Sequence, residues 1–174
     1  MALVKLKAIS QDTWLRSGGG PEKNGVCYYM CNFLISEHGI WHKLRSFMEA
    51  VEAAKDFGQG TAMMNYAKAQ NVAGKSQTAN YPPSSGTALA HNSIYRGELW
   101  IGNASATLGP ANHEILIITG NGDDIIYFEP NFGFFQASNV GMNNVQALEY
   151  CIAQQYGSKF HVGSFGYLRV GAIR

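Results

Sequence analysis

The chain has 174 residues, 46% of them hydrophobic and 14% charged, with 20 glycines and a net charge of +1. This describes one folded, turn-rich domain whose core needs neither disulfides nor metal, and it excludes a disordered chain. A charge balance so near neutral, without long charged blocks, argues neither for nucleic acid nor for a membrane surface as partner, and no stretch approaches the roughly 18 apolar residues of a membrane span.

Residues 1–16 read as an apolar and basic arm, with a short strand or helical turn around Leu3–Leu6 and Trp14–Leu15. It has no long apolar stretch of a signal peptide. Gly18–Gly20 break it, so residues 1–20 are set apart as an arm or linker and 21–174 as the domain. A helix is expected from Val26 to about His38, where Val26, Met30, Phe33 and Leu34 recur at helical spacing before Gly39. A second runs from about Trp41 to Phe57, and a third from Thr61, as N-cap, to Gln70. Residues 71–112 are dominated by Gly, Pro, Ser, Asn and Thr. Only a short helix near Thr87–Ile94 and a strand near Glu98–Ile101 are expected there, and so long a loop is expected to border a functional cleft.

Glu114–Thr119 and Ile125–Phe128 flank Gly120-Asn121-Gly122-Asp123 and read as a β-hairpin. A strand at Gly133–Gln136, a helix at Asn143–Tyr156 ended by Gly157, and a last strand at Ser164–Val170 complete the chain. Helices first and antiparallel strands later give an α+β fold.

Two stretches carry chemistry. Cys27 follows Asn24-Gly25 and opens an apolar helix, where free backbone N–H groups and the helix dipole favour a thiolate. The competing reading is a buried core cysteine. In the hairpin, His113 and Glu129 have indices that sum to 242, so a turn centred on Asn121 sets them opposite each other on one face. An imidazole oriented by a carboxylate, together with a thiol, is the parts list of a thiol hydrolase in the chain order of papain-type enzymes. A structural histidine and an exposed glutamate remain the alternative. The backbone N–H of Cys27 and the side chain of Asn24 are candidate oxyanion donors, although Asn24 equally suits a turn.

The other candidates are weaker. His38 and His42 are four apart, but Gly39 interrupts their helix and no third metal ligand is evident; His91 and His161 stand in no motif. Cys31 and Cys151 have apolar helical neighbours and read as core. An odd cysteine count gives no disulfide framework, and a working thiol suits a reducing compartment.

Gly25-Val26-Cys27, His113 before an apolar strand, and Phe128-Glu129-Pro130-Asn131-Phe132-Gly133 together resemble the YopT/AvrPphB family of bacterial effector cysteine peptidases. The resemblance spans roughly residues 24–170 and implies a papain-like fold, with the helical half first and the antiparallel sheet second. It implies Cys27 as nucleophile, His113 as general base and acid, and Glu129 as orienter, where the family has Asp; Asn131 is an alternative orienter. It further implies a toxin or virulence effector without cofactor or metal. Such a protein is secreted without a signal peptide and acts on a protein or peptide in the target-cell cytosol, with an immunity protein or chaperone as further partner. The same triad also serves amidase, deamidase and acyl-transfer chemistry, and a degenerate domain would only bind a partner.

Overall fold

The computed structural model describes residues 2–9, 23–39, 41–73, 81–103, 111–139 and 141–173. Among the described residues, four α-helices, α1 (Lys23–Ile35), α2 (Phe47–Lys55), α3 (Gly60–Val72) and α4 (Asn144–Tyr156), pack on an antiparallel sheet. Its strands are β1 (Ala2–Ala8), β2 (Ser93–Asn103), β3 (Ala111–Thr119), β4 (Ile125–Glu129), β5 (Gly133–Ser138) and β6 (Phe160–Ala172). They lie in the order β1-β5-β4-β3-β2-β6. Among the described residues, no helix is long and apolar enough to cross a membrane.

Strand alternation sends successive side chains to opposite faces, and here both faces are covered. Leu116, Ile118, Ile126 and Phe128 pack with Val26, Met30 and Leu34 of α1 and with α2 and α3. Their neighbours Ile115, Ile117, Ile125 and Tyr127 pack against Val145, Leu148 and Ile152 of α4. This is why Ile125–Phe128 is a continuous apolar run rather than an alternating one.

Several boundaries differ from expectation. Around Leu3–Leu6 the chain takes the strand alternative, but as part of the sheet and not of a separate arm: Ala2–Ala8 is an edge strand paired with β5, from Ala2 opposite Ser138 to Ala8 opposite Gly133, while Trp14–Leu15 lie outside the described residues. The stretch from Trp41 to Phe57 is not one helix: a 3-10 turn at Trp41–Lys43 precedes α2. Ser46 starts α2 by accepting from the Glu49 N–H (3.1 Å), while the Glu49 carboxylate reaches back to the Arg45 N–H (3.3 Å). Thr61 is inside α3, which begins at Gly60. Residues 87–90 are not helical, and Ile94 belongs to the eleven-residue strand β2.

Gly133 has φ +126°, and a Cβ there would lie 2.0 Å from the Lys7 carbonyl oxygen. That backbone conformation alone costs another residue about 1–3 kcal/mol, before any separation of β1 from β5. Gly133→Ala is expected to lower the melting temperature by about 5 °C or more. Gly122→Ala, with nothing within 4 Å of its Cβ, is expected to leave it unchanged; equal melting curves for the two variants would refute the assignment.

Candidate active site

α1 begins at Lys23, so Cys27 is its fifth residue and sits one turn into the helix rather than opening it. The helix runs through Gly25 instead of turning there. In a regular helix the Cys27 N–H is then directed at the Lys23 carbonyl, one turn back, rather than left free for an oxyanion. Asn24 lies within α1, one turn before Cys27; its side chain is outside the described residues. Cys27 is 2% exposed.

The hairpin brings His113 and Glu129 together, though not as direct opposites. Leu116 pairs with Phe128 and Thr119 with Ile125, so paired indices sum to 244 and the turn centres on Gly122 rather than Asn121. Glu129 continues this register beside Ile115, two residues from His113. A displacement of two keeps both side chains on one face, where a displacement of one would have separated them. The relation is diagonal, and diagonal Cβ atoms stand roughly 7–8 Å apart. The longer Glu side chain spans that gap, and its Oε1 meets Nε2 of His113 in a hydrogen bond.

Cys27 is the other neighbour that acts on the His113 ring, raising its pKa after Glu129 does. Because Nε2 is engaged by Glu129, Nδ1 is the nitrogen left for the thiol. The imidazole thus stands between a sulfur and a carboxylate, itself only 5% exposed.

Glu129 is fully buried, yet both oxygens are satisfied. Besides His113, Oε1 accepts from the Asn131 backbone N–H (3.0 Å), and Oε2 accepts from the Tyr156 hydroxyl (3.0 Å). The Asn131 side chain in turn donates to the Tyr156 hydroxyl (2.8 Å). Asn131 therefore backs up Glu129 instead of replacing it at His113 Nε2. The local sequence explains this: Pro130 presets a tight turn, closed by the Phe132 N–H on the Glu129 carbonyl (2.8 Å), and that turn aims the Asn131 amide at the preceding carboxylate.

Tyr156, the last residue of α4, was not anticipated as a site residue. It faces the His113 ring edge-on at 6.4 Å. Burial, and then the neighbouring Glu129 carboxylate, push its pKa upward, which keeps it a donor. The only sequence signal was an aromatic ending a helix just before Gly157.

His113 has two opposing influences. Burial by itself would lower its pKa, but the Glu129 carboxylate and then Cys27 outweigh this and push it up to about 10. A histidine raised from about 6.5 in the unfolded chain adds stability that is fully present below about pH 6.5 and is lost as pH rises through about 10. Wild-type protein is therefore expected to lose its melting-temperature advantage over His113→Gln between these limits. Glu129→Gln should bring the NMR titration of the imidazole down toward neutrality; a wild-type imidazole already titrating near 6.5 would contradict the ion pair. Tyr156→Phe removes one donor to a buried carboxylate, a loss of about 1–3 kcal/mol, visible as a fall of roughly 2–4 °C per kcal/mol in calorimetry.

The remaining candidates lie elsewhere. His38 stacks on Phe33, and His42, His91 and His161 are exposed. Cys31 is buried among the core residues of α1, and Cys151 among those packing α4 on the sheet. Among the described residues, no group of three or more His, Cys, Asp or Glu side chains could hold a metal ion.

Comparison of the chain with protein-family models, with curated proteins and with solved structures finds no match.

Proposed function

We propose that the chain is a papain-like cysteine peptidase that acts as a bacterial effector toxin on a protein of the target-cell cytosol. One observation carries the chemistry: the buried His113 ring is hydrogen-bonded to Glu129 and has Cys27 as a second neighbour acting on it. The order Cys, His, acid along the chain and a nucleophile helix ahead of an antiparallel sheet support the papain-like reading. The effector role rests on the Gly25-Val26-Cys27 and Glu129-Pro130-Asn131-Phe132-Gly133 likeness to the YopT/AvrPphB family.

In the proposed reaction His113 already carries the proton, in keeping with its raised pKa, and the Cys27 sulfur attacks the substrate carbonyl as a thiolate. Collapse of the tetrahedral adduct breaks the C–N bond as the imidazolium protonates the departing amine. Water, deprotonated by the now neutral imidazole, then releases the acid and restores the thiolate beside the imidazolium. Glu129 holds the tautomer and stabilises the imidazolium in both halves. The oxyanion donor is proposed at the first turn of α1, with Asn24 as the side-chain candidate.

A second reading has a specific support. Cys27 and His113 are 2% and 5% exposed, and so narrow an approach suits a slender amide such as a glutamine side chain, which the same steps would deamidate.

The test is hydrolysis of a peptide library and toxicity on expression in a host cell, for wild type, Cys27→Ala and His113→Ala. Loss of a nucleophile or base from such a unit lowers kcat on the order of 10⁴–10⁶-fold, so both variants should be inert in both assays. Cleaved backbone identifies a peptidase, and ammonia release from intact peptides identifies a deamidase. Undiminished toxicity in Cys27→Ala, with no thiol-dependent turnover in wild type, would leave a binding module.

A further inference from the structure

We infer that Arg96 of β2 is a positioning residue for the Cys27–His113 pair, fixing where α1 sits along the sheet and hence the separation of thiol and imidazole. This rests on the hydrolase reading above.

Arg96 is 5% exposed and Glu114 is 6% exposed. Each guanidinium nitrogen has its own partner. Nε donates to Glu114 Oε1 (2.8 Å), one terminal nitrogen donates to Asn32 Oδ1 (2.6 Å), and the other donates to the Tyr28 carbonyl (2.9 Å). The guanidinium carbon also lies 4.0 Å from the centroid of the Tyr28 ring. Tyr28 and Asn32 are four apart, so the planar fork grips one turn of α1 and opposes both sliding and rotation. Apolar packing alone is non-directional and leaves those two motions soft.

The placement is what ties this grip to the chemistry. Tyr28 follows Cys27 in the chain, and Glu114 follows His113. Arg96 therefore bridges the immediate chain neighbours of nucleophile and base. The Tyr81 hydroxyl adds a hydrogen bond to the same Glu114 oxygen. Its loop is pinned on β6 by the Tyr167 N–H on the Pro82 carbonyl (3.0 Å) and the Ser84 N–H on the Phe165 carbonyl (2.8 Å). Reactive geometry tolerates little error, a misplacement of about 1 Å being able to cost on the order of 10²-fold. A Lys at position 96 would keep the charge but could not hold three partners from one plane.

The test uses the whole chain and the alkylation rate of Cys27 by iodoacetamide at neutral pH, located by peptide mass. Wild type, His113→Ala, Arg96→Lys, Arg96→Met, Asn32→Ala and Asn144→Ala are compared at an equal margin below each melting temperature. Asn144 is a buried polar residue that binds the Leu89 N–H (2.9 Å) and carbonyl (3.1 Å), on the opposite side of the sheet from α1, and controls for plain destabilisation. Arg96→Lys is expected to react at least tenfold more slowly than wild type and Asn32→Ala severalfold more slowly, with Asn144→Ala within twofold of wild type. If Arg96→Met does not fold, Arg96→Lys and Asn32→Ala decide. Folded Arg96 variants that react like wild type would overturn the inference, as would an equal slowing in Asn144→Ala. A wild type no faster than His113→Ala would instead overturn the hydrolase reading beneath it.

Discussion

His113 and Glu114 are consecutive residues of β3 whose ionisable side chains are both buried, on opposite faces of the sheet. An unpartnered buried charge costs several kcal/mol, against a total stability of about 5–15 kcal/mol for a domain. Each therefore requires a partner of opposite charge at fixed geometry. Glu129 supplies it on one face and Arg96 on the other. Those two demands determine much else: β4 must end beside β3, the following turn must present its amide to Glu129, and α1 must offer a turn to Arg96. The proposed chemistry and the docking of the helices thus share one strand, and the Cys27–His113 contact lies where the two systems meet.

The sequence disclosed the elements with strong periodicity and missed those whose logic is long-range. The pairing of His113 with Glu129 was legible because side chains alternate with period two. An error of two in the register left the face assignment intact, although it misplaced the pair as direct opposites. Of β2 only Glu98–Ile101 was legible, because Gly97, Gly102, Arg96 and Glu98 break its apolar pattern, yet Arg96 is as buried as its hydrophobic neighbours. Its partners lie 15 to 68 positions away, so no local window contains the reason for its burial. A strand around Leu3–Leu6 was one of two local readings, but its place in the sheet was not legible, since an edge strand with exposed Leu3 and Val4 is recognisable only from its partner. The break before α2 did have a local signal, Ser46 three residues ahead of Glu49, the pattern of a capping box. The start of α1 did not: Asn24-Gly25 is turn chemistry by composition, and the helix runs through it.

The glutamate at the orienting position is intelligible from the register. With directly opposed residues, a shorter carboxylate would suffice, and the extra methylene would crowd the imidazole. Here the relation is diagonal, and the longer arm closes the distance while leaving Oε2 free for Tyr156. The length of the Glu129 side chain and the register of the hairpin thus belong to one solution.

That solution extends to the far edge of the sheet. Glu129 ends β4 and is paired with Gly133 across the turn, so the carboxylate is only as fixed as residues 129–133. The turn is braced from outside: the Ile9 N–H donates to the Phe132 carbonyl (3.1 Å), and Ala8 pairs with Gly133. The β1 ladder shifts register between Lys5 and Lys7, as in a β-bulge, which bends a strand and increases its twist. Gly133 admits the Lys7 carbonyl because it has no Cβ. The N-terminal strand is therefore a brace for the proposed orienting carboxylate and a structural part of the domain, although it lies more than a hundred residues before it in the chain.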